Sequence, residues 1–161
     1  MTLLRAVGEL GDWGDFPTPD AQCQESYVFD YALIPHAGPF ECARAQQEAF
    51  GFNHAPDSVA TGVHPGPLPP VGSFLQLDPE VLVLSALKKA EARDSLIVRF
   101  YNPHPQAVAA RLSTPWDLRE AHRTNLDERR LEPVPVRDGG VRIEAGAKQI
   151  ITLELVPHRA R

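Results

Sequence analysis

Sixteen of the 161 residues are proline, about twice the usual share of roughly 5%. No other feature narrows the fold as much. A proline lacks a backbone donor and fixes φ, so it is costly inside a helix or a central strand. These residues belong in loops, turns and strand edges, and the apolar runs between them are short. Most of those runs alternate with period two, the signature of a strand with one buried face. Tyr27–Ile34 places Tyr27, Phe29, Tyr31 and Leu33 on one face and stops at Pro35. Val81–Leu87 is a continuous apolar run bounded by Pro79 and the Lys88-Lys89 pair. It reads as a strand covered on both faces, although periodicity alone leaves a buried helix open.

Further along, Leu96–Tyr101 is rich in β-branched and aromatic residues and is closed by Asn102-Pro103. Val108, Ala110 and Leu112 alternate before Pro115. Val134 and Val136, then Asp138-Gly139-Gly140, then Val141 and Ile143 predict a hairpin, since Asp-Gly and Gly-Gly supply the positive φ angles of a tight turn. Gln149–Val156 is a last strand ending at Pro157. Helix signals are few. Glu41–Phe50 has good helix formers, whereas Asp117–Arg130 has a partial helical face with no adequate apolar stripe. Residues 55–72 hold five prolines and three glycines and predict a long surface excursion. The expected architecture is all-β: an antiparallel β-sandwich with a short helix and a long Pro/Gly-rich loop, spanning residues 1–161 as one domain.

Charge excludes some functions. The chain carries 16 Lys+Arg against 21 Asp+Glu, a net charge of −5, and only short basic pairs such as Lys88-Lys89 and Arg129-Arg130. A nucleic-acid partner is therefore not expected. No apolar stretch approaches the ~20 residues of a membrane span, and the first residues are too short an apolar run for a signal peptide. The expected location is cytoplasmic, with no membrane partner and with Cys23 and Cys42 reduced.

A catalytic constellation is not legible. The chain has no phosphate-binding glycine loop and no Gly-x-Ser-x-Gly elbow. Zinc chemistry wants ligands converging from a rigid element, and the six histidines (His36, His54, His64, His104, His122 and His158) stand singly. Paired carboxylates would suit glycoside hydrolysis. Asp12, Asp15, Asp20, Asp30, Glu120, Asp127 and Glu128 are available, yet a solvated acidic face explains most of them. Trp13 and Trp116 lie in loop contexts, either as platforms for a sugar ring or as edges of a core. No catalytic residue and no metal ligand is assigned.

The order of several strings adds a family. Thr18–Cys23 (TPDAQC), Phe29–His36 (FDYALIPH), Ser73–Leu77, Val81–Glu91 (VLVLSALKKAE), Ile97–Pro103 (IVRFYNP), Asn125–Glu128 and Ile150–Leu153 resemble, in that order, the C-terminal region of glycoside hydrolase family 38, the retaining zinc-dependent α-mannosidases. Gln149 stands where that family usually has a glutamate, and Glu25 where a glycine is common. The resemblance implies a terminal β-sandwich packed on a catalytic domain elsewhere, which carries the zinc and the aspartate nucleophile. This chain itself then needs no cofactor and is inactive alone. Met1 leads almost directly into a strand-like run, as though the sheet had been cut upstream. The implied partners are the α-mannosidase catalytic domain, on the same or a separate chain, and carbohydrate. Asp20, Gln22 and Arg99 become candidate inter-domain contacts, Arg99 pairing with a carboxylate of a neighbouring strand or of the other domain. Trp13 and Trp116 become candidate substrate-binding residues. The alternative is a free-standing carbohydrate-binding or scaffold module.

Overall fold

Two antiparallel sheets face each other because the apolar sides of their strands have no other way to leave water. The computed structural model describes residues 3–6, 8–10, 16–38 and 45–158. The chain divides into two compact units, Met1–Leu33 and Ile34–Arg161.

The second unit holds the sandwich. A five-stranded sheet runs in the order β4 (Val83–Lys89), β5 (Leu96–Tyr101), β11 (Ile150–Pro157), β7 (Leu118–Thr124) and β8 (Arg130–Val134). The facing sheet runs β3 (Gln76–Asp78), β6 (Val108–Ser113), β10 (Gly140–Ala145) and β9 (Val136–Arg137). Between them lies one core. Val98, Phe100, Ala121, Ile151, Leu153 and Leu155 come from the larger sheet, and Ala110, Leu112, Val141 and Ala145 from the smaller. Of Val81–Leu87, residues 83–87 are strand and Val81 and Leu82 lie in the turn before it; the expected cover on both faces is absent, because β4 is an edge strand whose Ser85 and Leu87 are exposed. The hairpin falls where expected. Gly140 pairs with Arg137 across Asp138-Gly139, whose φ angles of 51° and 69° form the turn. Gly140 itself answers to packing, since a Cβ there would sit 2.4 Å from the Leu112 carbonyl oxygen.

β11 is the central strand, and its six residues from Ile151 to Val156 are all buried. Ile151, Leu153 and Leu155 face the sandwich core, so Thr152, Glu154 and Val156 point to the outer face of the sheet. Asn102 proves to be more than a turn initiator. It is fully buried and donates through Nδ2 to the carbonyls of Gln106, Ala145 and Gly146, while its Oδ1 accepts from the His104 amide at 2.9 Å. It thereby ties the end of β5 to the end of β10.

The helix α1 spans Ala45–Asn53, running past the expected end at Phe50; residues 41–44 of that expectation lie outside the described residues. Residues 55–72 are an exposed excursion without regular structure. Asp117–Arg130, ambiguous in sequence, is β7 and its turn. Leu118 and Ala121 reach the core while Glu120 and His122 take outer positions, so the apolar signal is only two residues long.

The first unit holds β1 (Glu9–Leu10) paired with β2 (Phe16–Pro17) and a 3-10 turn over Pro19–Gln22. The strand expected at Tyr27–Ile34 does not form. That stretch has no ladder partner among the described residues, and Val28 and Leu33 are 91% and 85% exposed. Alternation marks what could be a strand, but a strand exists only where a neighbour accepts its hydrogen bonds.

Candidate functional site

Chemistry on this molecule gathers on the outer face of the five-stranded sheet. Its centre is Glu154, fully buried in the middle of β11. A buried carboxylate is tolerated only when it is paired and hydrogen-bonded, and four donors meet it. Arg130, at the start of β8, donates from Nε to Oε2 at 2.6 Å and from Nη2 to Oε1 at 3.0 Å. Arg93, in the turn between β4 and β5, donates from Nε to Oε1 at 2.8 Å, and the buried Ser95 hydroxyl donates to the same oxygen at 2.6 Å. Burial by itself would push the Glu154 carboxyl up; the hydrogen bonds from Arg130, Ser95 and Arg93 prevail and bring its pKa down to about 2.

The network extends from there. The Arg93 guanidinium also donates to the Glu128 carbonyl. The Glu128 carboxylate accepts from Lys88 Nζ at 2.8 Å and from the Glu91 amide at 2.8 Å. Those hydrogen bonds from Lys88 and the Glu91 backbone lower its pKa. Lys88 also reaches Glu91, and both contacts raise its own pKa. Glu120 accepts from His122 at 3.2 Å, with Arg119 at 3.2 Å and Arg130 at 3.8 Å. The hydrogen bond from His122 is the main cause that lowers its pKa. The arginines and carboxylates thus cross-link the β4–β5 turn, the β7–β8 turn and β11. A glycosidic general acid needs a raised pKa. Glu154, Glu128 and Glu120 are all pulled the other way, so each is held ionised as an acceptor. Among the described residues no three His, Cys, Asp or Glu converge as a metal site would require.

The residues singled out from sequence are dispersed. Trp13 lies outside the described residues. Trp116 is half-buried against the core, with the Phe74 ring 6.2 Å away and its Nε1 buried without a hydrogen-bond partner. Asp20 and Gln22 are exposed in the 3-10 turn, and Gln22 accepts from the Gln24 amide at 3.0 Å. Arg99 is half-buried in β5 and donates to the Thr152 hydroxyl at 3.1 Å and to the Leu126 carbonyl at 3.4 Å. Its contacts are thus a hydroxyl and a carbonyl of the sandwich. Arg99 shares the outer face with Glu154, whereas Trp116 packs against the core; Asp20 and Gln22 belong to the first unit. Glu154, Arg93, Arg130 and Ser95 escaped the sequence reading. The one available signal was a glutamate between Leu153 and Leu155 in an otherwise apolar run.

Two packed antiparallel sheets with an ion-paired outer face define a β-sandwich. The particular family follows from comparison. Residues 82–153, from the entrance of β4 into β11, match the glycosyl hydrolases family 38 C-terminal beta sandwich domain, and this stretch of the chain belongs to that family. It is 34% identical over 153 residues to a putative mannosylglycerate hydrolase of Halalkalibacterium halodurans, covering 95% of this chain and 17% of that protein. It is 32% identical over 165 residues to human alpha-mannosidase 2C1, covering 97% of this chain and 14% of the relative. A shorter match, 29% over 91 residues, joins it to alpha-mannosidase G of Dictyostelium discoideum, across 52% of this chain and 8% of that protein. The chain therefore spans only a small part of the length of the curated relatives it matches.

Proposed function

We propose that this chain serves as the non-catalytic C-terminal sandwich of a longer glycosidase that hydrolyses terminal α-mannosides. The zinc and the nucleophile of that reaction reside on another part of the protein. The observation that carries the reading is the family match over residues 82–153, set beside carboxylates drawn away from acid–base duty. The exposed row Tyr27, Val28, Phe29, Tyr31 and Leu33 supports it from the other side. Contiguous apolar surface of this kind is the mark of an interaction site, and we assign it to the catalytic part as the surface that covers it.

The test has two arms. The purified chain, supplied with zinc, is expected to leave an aryl α-mannoside intact; turnover by the chain alone would overturn the proposal. In the second arm the stretch of human alpha-mannosidase 2C1 that aligns with this chain is replaced by it. The chimera should stay soluble and hydrolyse its mannoside, whereas the same protein with the stretch deleted should not. A soluble, correctly folded chimera that is inactive would equally sink the reading. Replacing Tyr27, Phe29 and Tyr31 by serine in the chimera should lower its yield and activity together.

A further inference from the structure

The ion-paired face opens at one end into a cleft of about 550 Å³, within the range of roughly 300–1,000 Å³ usual for small-molecule sites. Four cations line it, Lys89, Arg93, Arg119 and Arg130, against two carboxylates, Asp94 and Glu154. Glu120 lies beside them, 3.2 Å from Arg119 and 3.8 Å from Arg130, so four cations face three carboxylates, a small positive excess on a chain whose net charge is −5. Leu96 and Val156 add an apolar wall.

Among the described residues the donors are only partly spent. An arginine offers five N–H donors in a planar fork suited to carboxylate and phosphate. Arg93 uses its Nε on Glu154 and one terminal nitrogen on the Glu128 carbonyl. Arg130 gives two donors to Glu154. Arg119 meets Glu120 through Nε at 3.2 Å, and Lys89 lies 3.8 Å from Asp94. Glu154 is ionised and immobile in β11, so it fixes the positions of Arg93 and Arg130 without filling the cleft. Such pre-ordering removes much of the entropic cost of gathering guanidinium groups round an anion.

We propose that this cleft binds a small oxyanion ligand, a molecule bearing a carboxylate or phosphate group. The half-buried Arg93 and the exposed Arg130, Lys89 and Arg119 hold it. The proposal is independent of the mannosidase reading, because it concerns this chain's own residues and is measured on the chain alone.

Inorganic phosphate and succinate are the probes, titrated into the isotopically labelled chain at constant ionic strength set with chloride. Saturable shifts are expected in the Nε–H signals of Arg93, Arg119 and Arg130 and in the amides of residues 93–96. Arg119→Gln and Lys89→Gln leave the Glu154 contacts in place, and each should weaken binding about tenfold, as loss of a charge-assisted contact does. The proposal is overturned by shifts that rise linearly without saturating or are reproduced by chloride, or by an affinity the two substitutions leave unchanged. Binding of a poly-glutamate peptide without any binding of phosphate or succinate would also overturn it, and would make the cleft a protein-docking surface instead.

Discussion

The segment Tyr27–Ile34 and the strand β11 carry comparable apolar alternation and meet opposite fates. In β11, Ile151, Leu153 and Leu155 are at most 1% exposed, between two neighbouring strands and beneath a second sheet. In Tyr27–Ile34, Tyr31 and Leu33 are 61% and 85% exposed, and the stretch belongs to no sheet. The difference is one of neighbours. A period-two pattern states which side of a strand wants burial, while the ladder partner and the covering layer come from elsewhere. β11 finds both within this chain, and Tyr27–Ile34 finds neither among its described residues.

Substitutions at matched positions break this contrast most sharply. Leu153→Ala removes a fully buried side chain from β11 and should cost about 3–5 kcal/mol in urea unfolding. Leu33→Ala should stay within about 0.5 kcal/mol. Equal losses would mean that the 27–34 segment is packed in solution after all.

The outer face of β11 offers the next largest effect. Glu154→Gln strips Arg93 and Arg130 of their shared carboxylate and should cost about 2–4 kcal/mol. The lower part of that range is expected, because the two arginine side chains are 36% and 38% exposed and can hydrate. The same residue sets an acid sensitivity. Its folded pKa of about 2 lies below the ordinary carboxylate value of roughly 4.3. The stabilisation from Glu154 is therefore complete above about pH 4.5 and fades as pH falls towards 2. Unfolding curves of Glu154→Gln and the parent should converge over that interval. A constant gap between them would refute the assignment.

A smaller effect separates two adjacent glycines. Gly140→Ala meets the Leu112 carbonyl at 2.4 Å and should cost about 1–3 kcal/mol. Gly139→Ala meets no atom but must hold φ at 69°, for about 1 kcal/mol. Thermal melts of the two variants would order them. Arg99→Gln should cost about 0.5–1.5 kcal/mol, since it gives up neutral partners only.

Much of the fold was legible before any coordinates. Leu96–Tyr101 and Gln149–Val156 read as strands because β-branched and aromatic residues were bounded by loop-forming prolines. The Asp138-Gly139 turn read as a hairpin because positive φ angles are a local demand. Leu118–Thr124 was illegible because only Leu118 and Ala121 of it face the core, while its charges answer to the arginine network. The candidate site was less legible still. Arg93, Arg130 and Glu154 lie far apart in sequence, and nothing in the spacing of three charged residues announces that they will meet.

By itself the sequence determined the local commitments of this protein: where prolines end strands, where a tight turn reverses the chain, and which residues seek burial. It also carried, in the order of its strings, the likeness to family 38. The tertiary structure alone decided which apolar faces were covered and which left bare, and it assembled the carboxylate of β11 with cations from the β4–β5 turn and the start of β8. Turn preferences act between neighbours along the chain, whereas ion pairing and burial act through space and are fixed only once the sheets have closed on each other.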